Sequence, residues 1–137
     1  MVPIIGKYFY DKSEGFEKYL SKIGVSIDGE AIKHIGQSKP ELEVALLDDK
    51  YTITVTNGNK TIVNSFKLGE KFTETLPIGA VLETIVSTDN EKFTFVSTLP
   101  DGNSVIREYL FTLEGITVSL SEKKFGVKAT RWYKRKN

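Results

Sequence analysis

The fold class predicted by this sequence is all-β: about ten short antiparallel strands forming a barrel or a sandwich, with a small helical insert near the start. Three observations carry the prediction. Turn signals recur along most of the chain, at Asp48-Asp49-Lys50, Asn57-Gly58-Asn59, Leu68-Gly69-Glu70, Pro77-Ile78-Gly79, Asp89-Asn90-Glu91, Pro100-Asp101-Gly102 and Glu114-Gly115. The segments between them are rich in Val, Ile, Thr, Phe and Tyr at hairpin spacing. Within them the period is two: Tyr51, Ile53 and Val55 alternate with Thr52, Thr54 and Thr56, giving one dry face and one wet face.

After the first strand the period changes. Phe16, Tyr19, Leu20 and Ile23 stand at i, i+3, i+4 and i+7, one face of a short helix that Gly24 can end. A second short helix is predicted next, with Asp28 as its cap, Ile27 and Ile32 as a hydrophobic staple, and Gly36 beyond its last apolar residue. Helices this short need a surface to lie on. A helical hairpin set between one strand and nine more is placed to cap an open barrel mouth. The run Lys134-Arg135-Lys136-Asn137 reads as a basic tail, and no linker or repeat interrupts the plan.

With 137 residues and 15.4 kDa the chain suits one domain, residues 1–137. Nineteen Lys and Arg against eighteen Asp and Glu leave +1, too little field to grip a nucleic acid backbone, so no nucleic acid partner is expected. The absence of Cys removes disulfides and thiolate metal sites, and a single His makes a zinc site or a catalytic triad hard to assemble. The apolar stretch at the N-terminus breaks off before the length of a signal-peptide core or a membrane span, so a soluble cytoplasmic protein is expected.

Two strands break their own pattern. From Val105 to Leu113 the odd positions are apolar except Arg107, and in the last strand Val127, Ala129, Arg131 and Tyr133 share a phase opposite to Trp132. Arg107, Arg131 and Tyr133 should therefore point inward. Guanidiniums in an apolar lumen are costly unless something meets their charge. Glu74, in phase with Phe72 and Leu76, could pair with them, but one carboxylate does not neutralise two arginines. Structural pairing and capture of an anionic ligand are both open on periodicity. A carboxylate ligand would suit the fork of Arg donors and the Tyr133 hydroxyl.

The order of elements, with Gly6-Lys7-Tyr8, the run from Ser65 to Thr75, Val105-Ile106-Arg107-Glu108 and Thr130-Arg131-Trp132-Tyr133-Lys134, resembles the cytosolic fatty acid-binding proteins, of the calycin type, over essentially the whole chain. The resemblance implies a ten-stranded antiparallel up-and-down β-barrel capped by a helix-turn-helix lid. It also implies a monomeric carrier without a cofactor, in which Arg107, Arg131 and Tyr133 bind the carboxylate of a long-chain fatty acid. The tail would run toward Phe16, Leu20 and Val25, with Phe72 and Glu74 on the cavity wall. At the portal the sequence departs from the family. Asn59 stands where a Phe is common, in a turn that looks longer, and Ile78 lies in an apolar turn where charged residues are common. Tyr8 replaces the usual Trp, and the one Trp, Trp132, belongs to the predicted outer face.

Rival readings are retinoic acid or another hydrophobic carboxylate as cargo, and a small barrel enzyme such as a lipid isomerase. Arg107 argues against retinol, which wants a neutral partner. Without a phosphate loop or metal cluster, and with His34 beside Lys33 on a predicted helix surface, catalysis has little to work with. Lys22, Lys33 and His34 form a basic lid surface. A solvated helix face, transient docking on anionic membrane and, by the resemblance, nuclear entry with delivery to a nuclear receptor in lipid signalling are the readings it permits.

Overall fold

The computed structural model describes residues 4–23, 30, 33, 38–76, 81–89, 91–99 and 101–136. Among the described residues, ten strands and one continuous helix follow in the order β1 (Gly6–Glu14), α1 (Phe16–Ile23), β2 (Glu41–Leu47), β3 (Lys50–Asn57), β4 (Lys60–Lys67), β5 (Phe72–Thr75), β6 (Val81–Asp89), β7 (Lys92–Thr98), β8 (Ser104–Phe111), β9 (Gly115–Glu122) and β10 (Lys128–Arg135). They form one sheet in the order β4-β3-β2-β1-β10-β9-β8-β7-β6-β5, antiparallel throughout, which is the expected up-and-down plan. The first and last strands meet in mid-sheet, and β4 and β5 face each other across the seam.

That seam is bridged by a side chain standing in for a strand. The Asn64 amide donates to the Thr75 carbonyl at 2.9 Å, and the Thr75 amide donates back to Asn64 Oδ1 at 2.9 Å. Phe66 and Phe72 stack across the same gap with centroids 5.3 Å apart. The barrel is thereby nearly closed without a hydrogen-bonded ladder.

The alternation read from the sequence sets which side chains fill the interior. Leu42 and Val44 on β2, Leu82 and Val86 on β6, and Val118 and Leu120 on β9 all point in. Aromatics from six strands, among them Tyr8, Phe66, Phe93 and Phe111, pack in tilted and edge-to-face contacts and fill the end away from the helix. Phe72 belongs to this plug rather than to the open cavity, which corrects its expected place. Leu113 is also not inside: β8 ends at Phe111, and Leu113 is 75% exposed in the turn where Thr112 Oγ1 accepts from the Gly115 amide.

The helix forms as its pattern demands, with Phe16, Tyr19, Leu20 and Ile23 all buried against the barrel. Gly15 makes the joint with β1. Its φ of 71° and the Lys128 carbonyl, 3.0 Å from where a Cβ would stand, both favour glycine there. Of the second predicted helix, Glu30 and Lys33 are helical and exposed, and the rest lies outside the described residues.

Candidate functional site

Between α1 and the aromatic plug lies a cavity of about 740 Å³. Its walls are mostly apolar, and its size falls in the range of pockets that enclose an organic ligand. Phe16 and Leu20 line it from the lid, as expected. Asn59 sits at its rim in an exposed hairpin of two residues, because Asn57 pairs directly with Lys60; the turn is shorter than the sequence suggested. Gly58 supplies the φ of 64° that so tight a reversal needs. Val25, Ile78 and His34 lie outside the described residues. Lys33 is exposed, and Lys22 turns toward Phe125, its Nζ 4.9 Å from the ring centre.

Strand phase brings both arginines inward, but into different surroundings. Arg107 Nη1 donates to Glu74 Oε2 at 2.8 Å, and Nη2 donates to Oε1 of the same carboxylate. Two hydroxyls extend the contact into a ring: Arg107 Nη2 donates to Ser97 Oγ at 3.1 Å, Ser97 lies 2.7 Å from Thr84 Oγ1, and Thr84 donates to Glu74 Oε1 at 2.9 Å. Since Thr84 spends its one hydrogen on Glu74, Ser97 must donate to Thr84, so both the direct contact and the hydroxyl relay run from the Arg107 guanidinium to the Glu74 carboxylate. Burial opposes the charge on Arg107, and the Glu74 carboxylate outweighs it, so the guanidinium is held above its usual range.

Arg131 has no such partner. Its Nε donates to Ser13 Oγ at 3.0 Å, and its guanidinium carbon lies 3.9 Å from the Phe16 ring centre, 4.9 Å from Tyr10 and 5.6 Å from Tyr133. Among the described residues no carboxylate forms an ion pair with it, and its Nη2 is buried without a hydrogen-bond partner. The aromatic faces offer partial compensation through their quadrupoles. Beside it, burial pushes the Tyr133 hydroxyl up to about 12, with Arg131 pulling the other way, so it remains a proton donor. The interior thus holds one neutralised arginine and one bare cation.

Ser13, Thr84, Ser97, Tyr109 and Asn64 were not singled out in the sequence. Alternation alone puts Ser97 in phase with Phe93 and Phe95, and Thr84 in phase with Leu82 and Val86, so inward hydroxyls were a usable signal. Ser13 was not so accessible. A bulge between Tyr10 and Lys12 resets the phase of β1 and places Ser13 opposite Arg131.

A nearly closed ten-stranded barrel with a helical cover encloses an apolar cavity with a buried cation in its wall. The chain belongs to the Lipocalin / cytosolic fatty-acid binding protein family, whose model matches residues 5–111. It is 34% identical over 98% of its length to a fatty acid-binding protein of Lepidoglyphus destructor, covering 99% of that protein. It is 32% identical to one of Tyrophagus putrescentiae, again covering 98% of this chain and 99% of the other. Among solved structures, the fatty acid-binding protein from brain tissue of Drosophila melanogaster superposes with a TM-score of 0.84 at 31% identity, over 96% of this chain and 99% of that one. Both of these relatives are named as fatty acid-binding proteins.

Proposed function

We propose that the protein is a carrier of long-chain fatty acids, with the acid lying in the cavity and its carboxylate on Arg131 and Tyr133. The observation that carries this reading is the electrostatic imbalance inside the barrel: Glu74 neutralises Arg107, and Arg131 is buried among aromatic rings with a donor free. A single monoanion balances that charge. The relatives named as fatty acid-binding proteins support the same cargo class. Arg107, already balanced by Glu74, then adds little net charge for the carboxylate. Each buried methylene of the tail contributes about 0.8 kcal/mol before ordering costs, so the tail supplies affinity and the cation supplies orientation.

Retinoic acid is the second reading, because Arg131 would meet any hydrophobic carboxylate equally. As a carrier the protein would act as a cytoplasmic monomer, releasing its cargo at membranes or, after entering the nucleus, to a receptor. Titration of delipidated protein with oleate, methyl oleate and retinoic acid tests the reading. Tight binding of oleate, weaker binding of the ester and displacement of retinoic acid by oleate are expected. Equal affinity for acid and ester would refute the carboxylate site. Native mass spectrometry of protein taken from its own tissue would identify the resident lipid.

A further inference from the structure

The turn joining β9 to β10 is built to hold one aromatic ring in water. Phe125 at its tip is 51% exposed, although most of the protein's aromatic rings are packed inside. The turn beneath it is rigid. The buried Glu122 carboxylate accepts from the Phe125 amide at 2.8 Å, the Val127 amide and the Asn103 side chain, and Asn103 Oδ1 accepts from the Lys124 amide at 2.9 Å. These bonds to its charged form hold the Glu122 carboxyl below its ordinary range against the opposing effect of burial. So much internal bonding fixes the backbone that carries the ring.

Two ammonium groups flank the ring. Lys22 Nζ from α1 lies 4.9 Å from its centre and Lys124 Nζ 5.4 Å, while Lys123 and Lys128 are exposed on either side in sequence. Of the nearby acids, Glu122 is buried in the turn and Asp101, 4.0 Å from Lys124, offsets part of that one lysine's charge, so the patch stays net positive. An exposed apolar ring in a collar of lysines matches the depth profile of an anionic bilayer, with apolar matter beneath a layer of negative headgroups.

We propose that the β9–β10 turn is a docking point for anionic lipid membrane, with Phe125 entering the headgroup boundary and Lys22, Lys123, Lys124 and Lys128 meeting the lipid phosphates. The proposal rests on the carrier reading only for its purpose, and its physical content holds for the empty protein as well. Docking here would set the lid helix against the membrane, since Lys22 belongs to both surfaces.

The test is co-sedimentation of the lipid-free protein with phosphatidylcholine–phosphatidylglycerol vesicles, against pure phosphatidylcholine vesicles. Binding is expected to the anionic vesicles alone and to fall as salt rises. Phe125→Ser should weaken it several-fold and Phe125→Leu should largely retain it, while Lys124→Gln should cost about fivefold. Oleate titration of each variant should match the parent protein. Unchanged sedimentation of Phe125→Ser, or equal binding to both kinds of vesicle, would overturn the proposal. Failure of oleate binding in the parent would instead count against the carrier reading alone.

Discussion

Glu74 and Arg107, 33 residues apart in sequence, grip each other through both carboxylate oxygens inside the barrel, and among the described residues Arg131 has no carboxylate partner of its own. Breaking that grip from one side strands a buried guanidinium. Glu74→Gln is expected to destabilise the protein by about 3–5 kcal/mol, whereas Glu74→Leu combined with Arg107→Met should recover most of the loss. Urea unfolding of the three proteins checks this, and equal losses in the single and double variants would refute it.

The two arginines should separate in binding. Arg131→Leu and Tyr133→Phe are expected to weaken oleate about tenfold or more, because bonds to a charged group contribute ~1.5–3 kcal/mol, and to leave methyl oleate nearly unaffected. Arg107→Leu paired with Glu74→Leu, which removes a neutral unit, should change oleate affinity much less. Calorimetric titration distinguishes the two patterns.

Alkaline stability should carry the signature of Tyr133. Its hydroxyl ionises near 10.0 in the unfolded chain and only at about 12 in the fold, so the folded state keeps a proton that the unfolded state gives up. That contribution is full below pH 10.0 and is lost as pH rises toward about 12. Urea midpoints measured across this window should fall for the parent protein and fall less steeply for Tyr133→Phe. Tyr8, Tyr19 and Tyr109 are also raised, with burial as the leading cause, so part of the slope will persist in the variant.

The seam and the rim give two further expectations. Asn64→Leu removes both bonds to Thr75 and should cost about 1–3 kcal/mol, with faster hydrogen exchange at the Thr75 amide. Asn59→Phe places a large apolar group on the rim hairpin and should slow release of a fluorescent fatty acid in stopped-flow traces. An unchanged rate would put the exit elsewhere.

Much of this architecture was legible because alternation is a direct record of which side of a sheet each residue faces. Arg107, Arg131 and Tyr133 declared themselves as polar groups in an apolar phase, and Phe16, Tyr19, Leu20 and Ile23 as a helical stripe. Alternation offered Glu74 as a partner for the arginines, but it cannot tell which of the two the carboxylate meets across the sheet. The meeting of Arg107 with Glu74 depends on the registers of β5 through β8 acting together, and the contact of Arg131 with Ser13 depends on one extra residue in β1. The exposed Leu113 shows the complementary failure: the phase continued on paper, but the strand had already ended.

The pairing of β1 with β10 also bears on how the molecule is made. Ser13 emerges from the ribosome 118 residues ahead of Arg131, its hydrogen-bond partner. Until the final strand arrives, β1 has one edge without a neighbour and the interior has no side to close against. A nascent chain therefore waits with most of its sheet available and Arg131 still unmade, so a polypeptide halted before β10 would display apolar wall without that interior cation. Synthesis itself imposes the sequence of events: shelter comes last, and only then can a lipid be held.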